Sequence, residues 1–413
     1  MPGILAVYAE KRLLAVLFMG FASGLPLALT GTTLAARFTD AHIALATIGY
    51  MALVQLSYSF KPLWAPALDA VAIPVLTALL GRRRSWLLVL AASLTIAIAG
   101  LGHTSPLGMV YWAIAVAFLS ATQDIVIDAY RVEILHPEQQ GAGAAVTQFG
   151  YRIGMIASGA GSLYAASFWG WLTAYQVMAG LMLVGVVTAL LAPEPALPGL
   201  SAVRTLAVTV TAPFRDILER RAWPALLIFI VLYKLGDAIS GHMATPFYLG
   251  LGFTKIDIAN ISKVLGVIAA ILGVSLGGIV VYRLGVLRAL FVCGLVQMVS
   301  NSLYIVQDLS GHNLPMLALT ISLENLAGGM GSAAFVAYLS GLCRSGYTAT
   351  QYALLSALAL LGRNLFSSVS GVMAAHLGWI GFFAVSVGLA LPGLGLLVWM
   401  MRRPHLAGVP GQG

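Results

Sequence analysis

Charge is what this sequence has least of. Lys, Arg, Asp and Glu together make up 9% of its 413 residues, where a soluble globular chain carries about 25%. With 60% hydrophobic residues, a water-soluble enzyme or binding domain is excluded and a chain built for lipid is indicated. Cysteine is also scarce. Cys293 and Cys343 stand alone, so neither a disulfide framework nor metal-ligand spacing is present. No glycine-rich phosphate loop and no nucleophile with a spaced base occurs, which argues against an ATP-driven pump and against any cofactor. The net charge of +8 raises the question of a nucleic-acid partner, but its distribution answers otherwise. Of the 22 Lys and Arg, 15 fall in alternate loops and ends, among them Arg82–Arg84, Arg220, Arg221, Arg402 and Arg403, while the opposite loops hold Arg37 and Lys255. That asymmetry is the positive-inside pattern and predicts a multi-pass membrane protein with both termini in the cytoplasm.

What is abundant is long apolar runs. A membrane-crossing helix needs about 20 residues, and hydropathy predicts spans near 12–35, 43–65, 85–102, 106–130, 142–166, 171–191, 223–249, 256–281, 287–307, 314–339, 348–374 and 378–401. The longest break, 193–222, opens with Pro193, Glu194 and Pro195. It divides the chain into an N-terminal six-helix half (1–192) and a C-terminal six-helix half (223–401), with a cytoplasmic linker between them and a tail at 402–413. The expected fold is an all-α membrane protein of twelve helices. The pairs Gly20/Gly24, Gly150/Gly154 and Gly273/Gly277 have the spacing that lets membrane helices approach closely.

Five basic side chains interrupt these runs: Lys61, Arg152, Lys234, Lys263 and Arg363. A cation near the bilayer centre costs roughly 2.5–3.5 kcal/mol on insertion scales, so such residues are expected to face a watery interior. Gln123 and Asp124 are followed by Asp128 and Arg131 on one helix face. Asp124, the deepest of the three, is a candidate proton carrier; Asp128 and Arg131 read as an interhelical or loop clamp. Gln148, Tyr151 and Arg152 sit together in the expected fifth span, and the partner of Arg152 is either Asp124 or a carboxylate on the cargo. Lys234 and Asp237 form either a structural ion pair or a switch that protonation of the acid releases. Glu324, beside Asn325, lies mid-span without a base in its own helix, as a proton site or as a partner to Lys263 or Arg363. A membrane enzyme would need an acid/base cluster near an interface, and Asp128, Glu133 and His136 make a thin one.

At these residues the chain resembles the AmpG-type muropeptide permeases, a bacterial branch of the major facilitator superfamily related to the acetyl-coenzyme A transporters. The stretches that carry the resemblance are GFASGLPLALTG, ATIGYMALVQLSYSFKPLWAPALD, GRRR, ATQDIVIDAYRVEIL and GAGAAVTQFGYRIGM in the first half. LYKLGDA, ENLAGGMGSAAFVAYL and TATQYALLSAL follow in the second. The resemblance implies two six-helix halves with a midplane site and a monomer that imports cell-wall breakdown products. These are N-acetylglucosamine linked to anhydro-N-acetylmuramic acid, with or without peptide, carried in symport with protons. Cargo contacts are then expected from Lys61, Trp64, Gln123, Gln148, Tyr151, Arg152, Asn325 and Gln351, and proton coupling from Asp124, Lys234, Asp237 and Glu324. Asp69, Asp128, Arg131, Lys263 and Arg363 are expected as charge partners or gate residues. A carrier of another anionic metabolite, such as an acyl-coenzyme A or nucleotide-linked compound, is the alternative. One departure concerns the loop after Asp69. Where a basic residue is expected directly after the acid, this sequence runs AVAIPVLTALL before Gly81 and Arg82–Arg84.

Overall fold

A computed structural model describes residues 10–41, 54, 56–103, 106–196, 206–344, 346–367 and 369–403. Among these the regular structure is helical: α1 (Lys11–Thr30), α2 (Thr32–Asp40), α3 (Ala65–Ala70), α4 (Leu76–Leu80), α5 (Arg82–His103), α6 (Pro106–Ile134), α7 (Gln140–Ile156), α8 (Ser162–Leu191) and α9 (Leu206–Leu218). The chain continues with α10 (Trp223–Leu232), α11 (Leu235–Gly250), α12 (Lys255–Ile261), α13 (Val267–Leu284), α14 (Val286–Ser310), α15 (Leu314–Leu342), α16 (Thr348–Ser367), α17 (Ser370–Gly388) and α18 (Ala390–Met401). Eight stretches among the described residues are long and apolar enough to cross a membrane. Most of the expected second span, 42–53, lies outside the described residues, apart from the single turn Leu56–Ser59 and the 3-10 turn Lys61–Leu63 that lead into α3.

The chain groups into two compact units. The first comprises Met1–His136, Val146–Phe214 and Cys343–Leu354; the second comprises Pro137–Ala145, Arg215–Leu342 and Leu355–Gly413. Within the first unit, the paired glycines explain how α1 and α7 meet. A β-carbon on Gly20 or Gly24 would overlap the backbone of Thr147 or Tyr151, and one on Gly150 or Gly154 would overlap Leu17 or Phe21. Each helix thus presents its small residues to the other's backbone, which is how helices associate where lipid offers no hydrophobic driving force. In the second unit Gly273 and Gly277 press on Leu326 and Met330, and Gly329 presses back on Ala270 and Gly273.

Several expected spans are not continuous helices. The first breaks between Thr30 and Gly31 to give α1 and α2. Beside that break, α7 passes into α8 through a π-helical turn at Ala157–Gly161. A backbone group freed inside a bilayer must find a partner within the protein, and the Thr33 hydroxyl supplies one, donating to the Ser158 carbonyl at 3.1 Å and lying 3.0 Å from the Ser162 hydroxyl. The expected seventh span breaks at Lys234 (φ −101°, ψ 10°), between α10 and α11. Turns at Gly170 (φ 80°) and Gly378 (φ 65°) interrupt α8 and α17. Both sit in the left-handed region open to glycine, and each is followed by tryptophan, Trp171 and Trp379.

Candidate transport site

In the first unit, a proline-interrupted stretch places Lys61 at the head of the 3-10 turn that precedes α3. Its ammonium donates to Asp124 Oδ2 of α6 at 2.7 Å, and the other oxygen of that carboxylate accepts from the Ser23 hydroxyl of α1 at 2.6 Å. Both charged side chains are largely buried, and the Lys61 ammonium also lies 5.3 Å from the centre of the Tyr58 ring. Asp124 is therefore the partner of Lys61. Arg152 on α7 forms no ion pair with a described residue; its Nε is buried without a hydrogen-bond partner, with Tyr151 beside it. Gln123 is fully buried, and neither end of its amide is bonded. The Trp64 ring packs 5.0 Å from Phe118, with its indole N–H buried and unpartnered. Gln148 is half-buried one turn before Arg152. Buried polar groups are normally satisfied, and these donors and acceptors of the first unit are not.

A second cluster in the same unit is a closed latch. Asp69, at the end of α3, is buried and receives Arg83 Nη2 at 2.8 Å on one oxygen. Its other oxygen receives the amide and hydroxyl of Thr350, at 2.9 and 2.7 Å. Arg83 also forks onto Glu133, with Nε at 2.8 Å and Nη2 at 2.6 Å. The apolar insertion after Asp69 therefore does not remove the latch; the basic arm comes from beyond it. Arg82 adds a bond to the Asp69 carbonyl at 2.6 Å. Next to the latch, Arg131 is fully buried, 3.6 Å from Asp128 and over the Tyr352 ring at 5.1 Å. Gln351, expected to meet cargo, is instead a fastening. It is fully buried, accepts from the Arg344 amide at 2.8 Å and donates to the Pro213 carbonyl at 3.4 Å.

Sequence reasoning missed Glu194. Its carboxylate accepts the amides of Arg83 at 2.9 Å and Arg84 at 3.1 Å, satisfying donors that the start of α5 leaves free. Burial pushes this carboxyl above the usual range, while the two amide bonds pull the other way. The Arg84 side chain holds the Ala189 and Leu190 carbonyls, and Tyr130 holds that of Pro193 at 2.8 Å. The linker's first residues are thereby fixed to α5 and α6.

In the second unit, the break at Lys234 directs its ammonium among four oxygens: Gln297 Oε1 at 3.2 Å, Asp237 Oδ2 and Ser332 Oγ at 3.3 Å, and the Gly328 carbonyl at 3.4 Å. Glu324 lies within electrostatic reach of Lys234 and Asp237 and accepts from Asn325 Nδ2 at 3.2 Å. Among the described side chains, the charged neighbours of Glu324 are the Lys234 pair. Arg363 is exposed and in no ion pair with a described residue, and the Lys263 side chain lies outside the described residues. Gln297, Asn301 and Ser332 were not singled out beforehand. Gln297, Ser300, Asn301 and Tyr304 recur at helical spacing and are all buried, a polar stripe in an apolar span that was legible and overlooked.

A sequence profile of the Major Facilitator Superfamily matches residues 14–305. The chain belongs to the Major Facilitator Superfamily. Within this superfamily it is 42% identical to the Anhydromuropeptide permease of Escherichia coli (strain K12), over 95% of this chain and 80% of that one. Two solved superfamily structures have the same fold at 15% identity and a TM-score of 0.65. The human organic anion transporter MFSD10 aligns over 94% of this chain and 99% of its own. The proton:xylose symporter XylE, bound to 6-bromo-6-deoxy-D-glucose, aligns over 96% of each chain. The superfamily match and the identity to the permease agree with a non-enzymatic integral membrane transporter for a small molecule.

Proposed function

We propose that the protein imports anhydromuropeptides, N-acetylglucosamine-anhydro-N-acetylmuramic acid with or without peptide, from periplasm to cytoplasm, driven by protons. In this reading it is an inner-membrane monomer of twelve spans in two six-helix halves, with both termini cytoplasmic. The observation that carries it is Arg152, whose buried Nε has no hydrogen-bond partner and which forms no ion pair with a described residue, together with the unbonded Gln123 amide and Trp64 indole N–H of the same unit. A cargo of sugar hydroxyls, amides and a carboxylate answers each of these groups, and a charge-assisted bond is the strongest of them. The name of the 42% identical relative supports the same cargo.

Proton coupling is assigned to acids that share a cation. Asp237 and Glu324 lie around one lysine in the second unit, so a proton on one of them balances the local charge, which suits a carrier that cycles between loaded and empty states. Asp124, paired with Lys61, is the corresponding acid of the first unit. Uptake of labelled anhydromuropeptide into vesicles, with and without an imposed proton gradient, is the test. Concentrative uptake only with the gradient is expected; transport of another anion in place of the sugar-peptide sinks the reading.

A further inference from the structure

We propose that Val71–Leu80 is an interfacial anchor, a short apolar loop that lies in the headgroup–acyl boundary of the bilayer and ties the Asp69–Arg83 latch to the membrane. From Ala70 to Leu80 there is no charged residue, and Thr77 is the one polar side chain. Even that hydroxyl is turned inward, accepting the Ile73 amide at 2.9 Å. Val71, Val75 and Leu79 recur every four residues and are exposed, the last two at 73% and 74%; Ala72, Pro74 and Ala78 join them, while Ile73, Leu76 and Leu80 are half-buried.

The backbone supports this arrangement. Val75 has φ 65° and ψ −56°, a conformation in which a β-branched residue is an outlier. The Leu76 amide bonds the Pro74 carbonyl at 2.7 Å, closing a γ-turn at the most outward part of the loop. In water, glycine or a polar residue suits such a position; here it carries a bulky apolar side chain.

The occupant that fits is lipid. The nearby charges are engaged within the protein: Asp69 and Arg83 are buried on each other, Arg82 holds the Asp69 carbonyl, Arg84 holds carbonyls of α8 and Glu194 accepts the Arg83 and Arg84 amides. Trp86 donates its indole N–H to the Val71 carbonyl at 3.0 Å, placing an interface-favouring side chain at the base of the loop. The loop then runs directly into Arg82–Gly102, a stretch long and apolar enough to cross a membrane, so it stands at one end of a candidate span. A chain segment in this setting buries its apolar face about 5–10 Å into the headgroup boundary. Because Asp69 stands just before the loop and Arg82 and Arg83 just after it, the anchor holds both arms of the latch at a fixed depth.

The test places an environment-sensitive fluorophore on Val75→Cys or Leu79→Cys in a Cys293→Ala, Cys343→Ala background, reconstituted in liposomes. Glu138→Cys, in an exposed loop, serves as the aqueous control. Blue-shifted emission at both positions is expected, with quenching by lipids spin-labelled near the headgroup about twofold or more above that by iodide, and the reverse at the control. Iodide quenching equal to that of the control would overturn the proposal. So would self-quenching relieved by diluting with unlabelled protein, which would mean that a second copy covers the stripe. Hydroxyl-radical footprinting of the unmodified protein in nanodiscs needs no substitution. Protection of Val71–Leu80 supports the anchor, and oxidation at the rate of the Glu138 loop overturns it.

Discussion

Lys61 and Asp124 are joined at 2.7 Å, while Arg152 forms no ion pair with a described residue. In the proposed reading, that division separates a cation the protein already satisfies from one that it leaves for cargo. Breaking one member of a buried ion pair costs roughly 3–5 kcal/mol, whereas removing both together is often close to neutral. Asp124→Asn and Lys61→Met are therefore each expected to lower the thermal stability of the purified protein, and the double variant to recover most of the loss. A double variant as unstable as the sum of the two singles would show that the pair is not energetically coupled.

Arg152→Lys keeps the charge but loses the planar fork that meets a carboxylate with two bonds. The half-saturation concentration for anhydromuropeptide is expected to rise about tenfold or more, which corresponds to about 1.4 kcal/mol, with folded yield unchanged. An equal affinity loss for an uncharged sugar analogue would show that Arg152 does not meet the cargo carboxylate.

Coupling is read from a comparison of two transport modes. Glu324→Gln and Asp124→Asn are expected to reduce proton-driven uptake by at least about tenfold, the scale of one lost charge interaction, while counterflow exchange in the absence of a gradient persists. Wild-type pH dependence of uptake in both variants would remove these acids from the coupling scheme.

Most of the intramembrane charges were legible because an ionisable residue in an apolar run has few innocent explanations. Lys61, Asp124, Lys234 and Asp237 were visible in that way, as was the glycine spacing that joins α1 to α7. Their partners were not all visible. The sequence offered Asp124 as a partner to Arg152 and none to Lys61, since pairing across helices depends on rotation and depth that hydropathy does not fix. Gln351 misled because an amide four residues into a span looks the same whether it faces a cavity or caps a neighbouring backbone. Glu194 was hidden between two prolines after the sixth expected span, where its distance in sequence from Arg83 gave no sign of contact. The helix breaks at Gly31 and Lys234 also escaped, because hydropathy averages across a kink.

Glu194 gives a pH-dependent prediction from outside the membrane-spanning segments. Its carboxyl is raised in the folded protein, chiefly by burial, so the folded state holds this proton more firmly than the unfolded chain does. The sign follows by linkage. The contribution to stability is fully present below the ordinary glutamate value of about 4.3 and is lost as pH rises through the elevated one. Glu194→Gln keeps one oxygen to accept one of the Arg83 and Arg84 amides, which bond separate carboxylate oxygens in the wild type, and does not ionise. It is expected to match the wild type in acid and to be more stable at neutral pH, by less than the roughly 1 kcal/mol of a helix cap. Melting curves between pH 4 and pH 8, about the range that brackets a raised carboxyl, decide it, and a variant that loses stability at neutral pH would show that the ionised carboxylate is the better cap.

The glycine contacts separate positions that composition alone treats alike. Gly24→Ala forces a methyl into the Tyr151 backbone, and Gly273→Ala forces one into Leu326. Neither neighbour is a flexible side-chain tip, so each substitution is expected to cost about 1–3 kcal/mol through overpacking. Gly180 lies within α8 with open space where a β-carbon would stand. Gly180→Ala is therefore expected to be neutral or to stabilise by about 0.5–1 kcal/mol, the ordinary helical preference for alanine over glycine. Thermal unfolding of the three variants in one detergent gives the comparison directly. If Gly180→Ala falls as far as Gly24→Ala, the loss reflects helix flexibility rather than the close approach of α1 to α7.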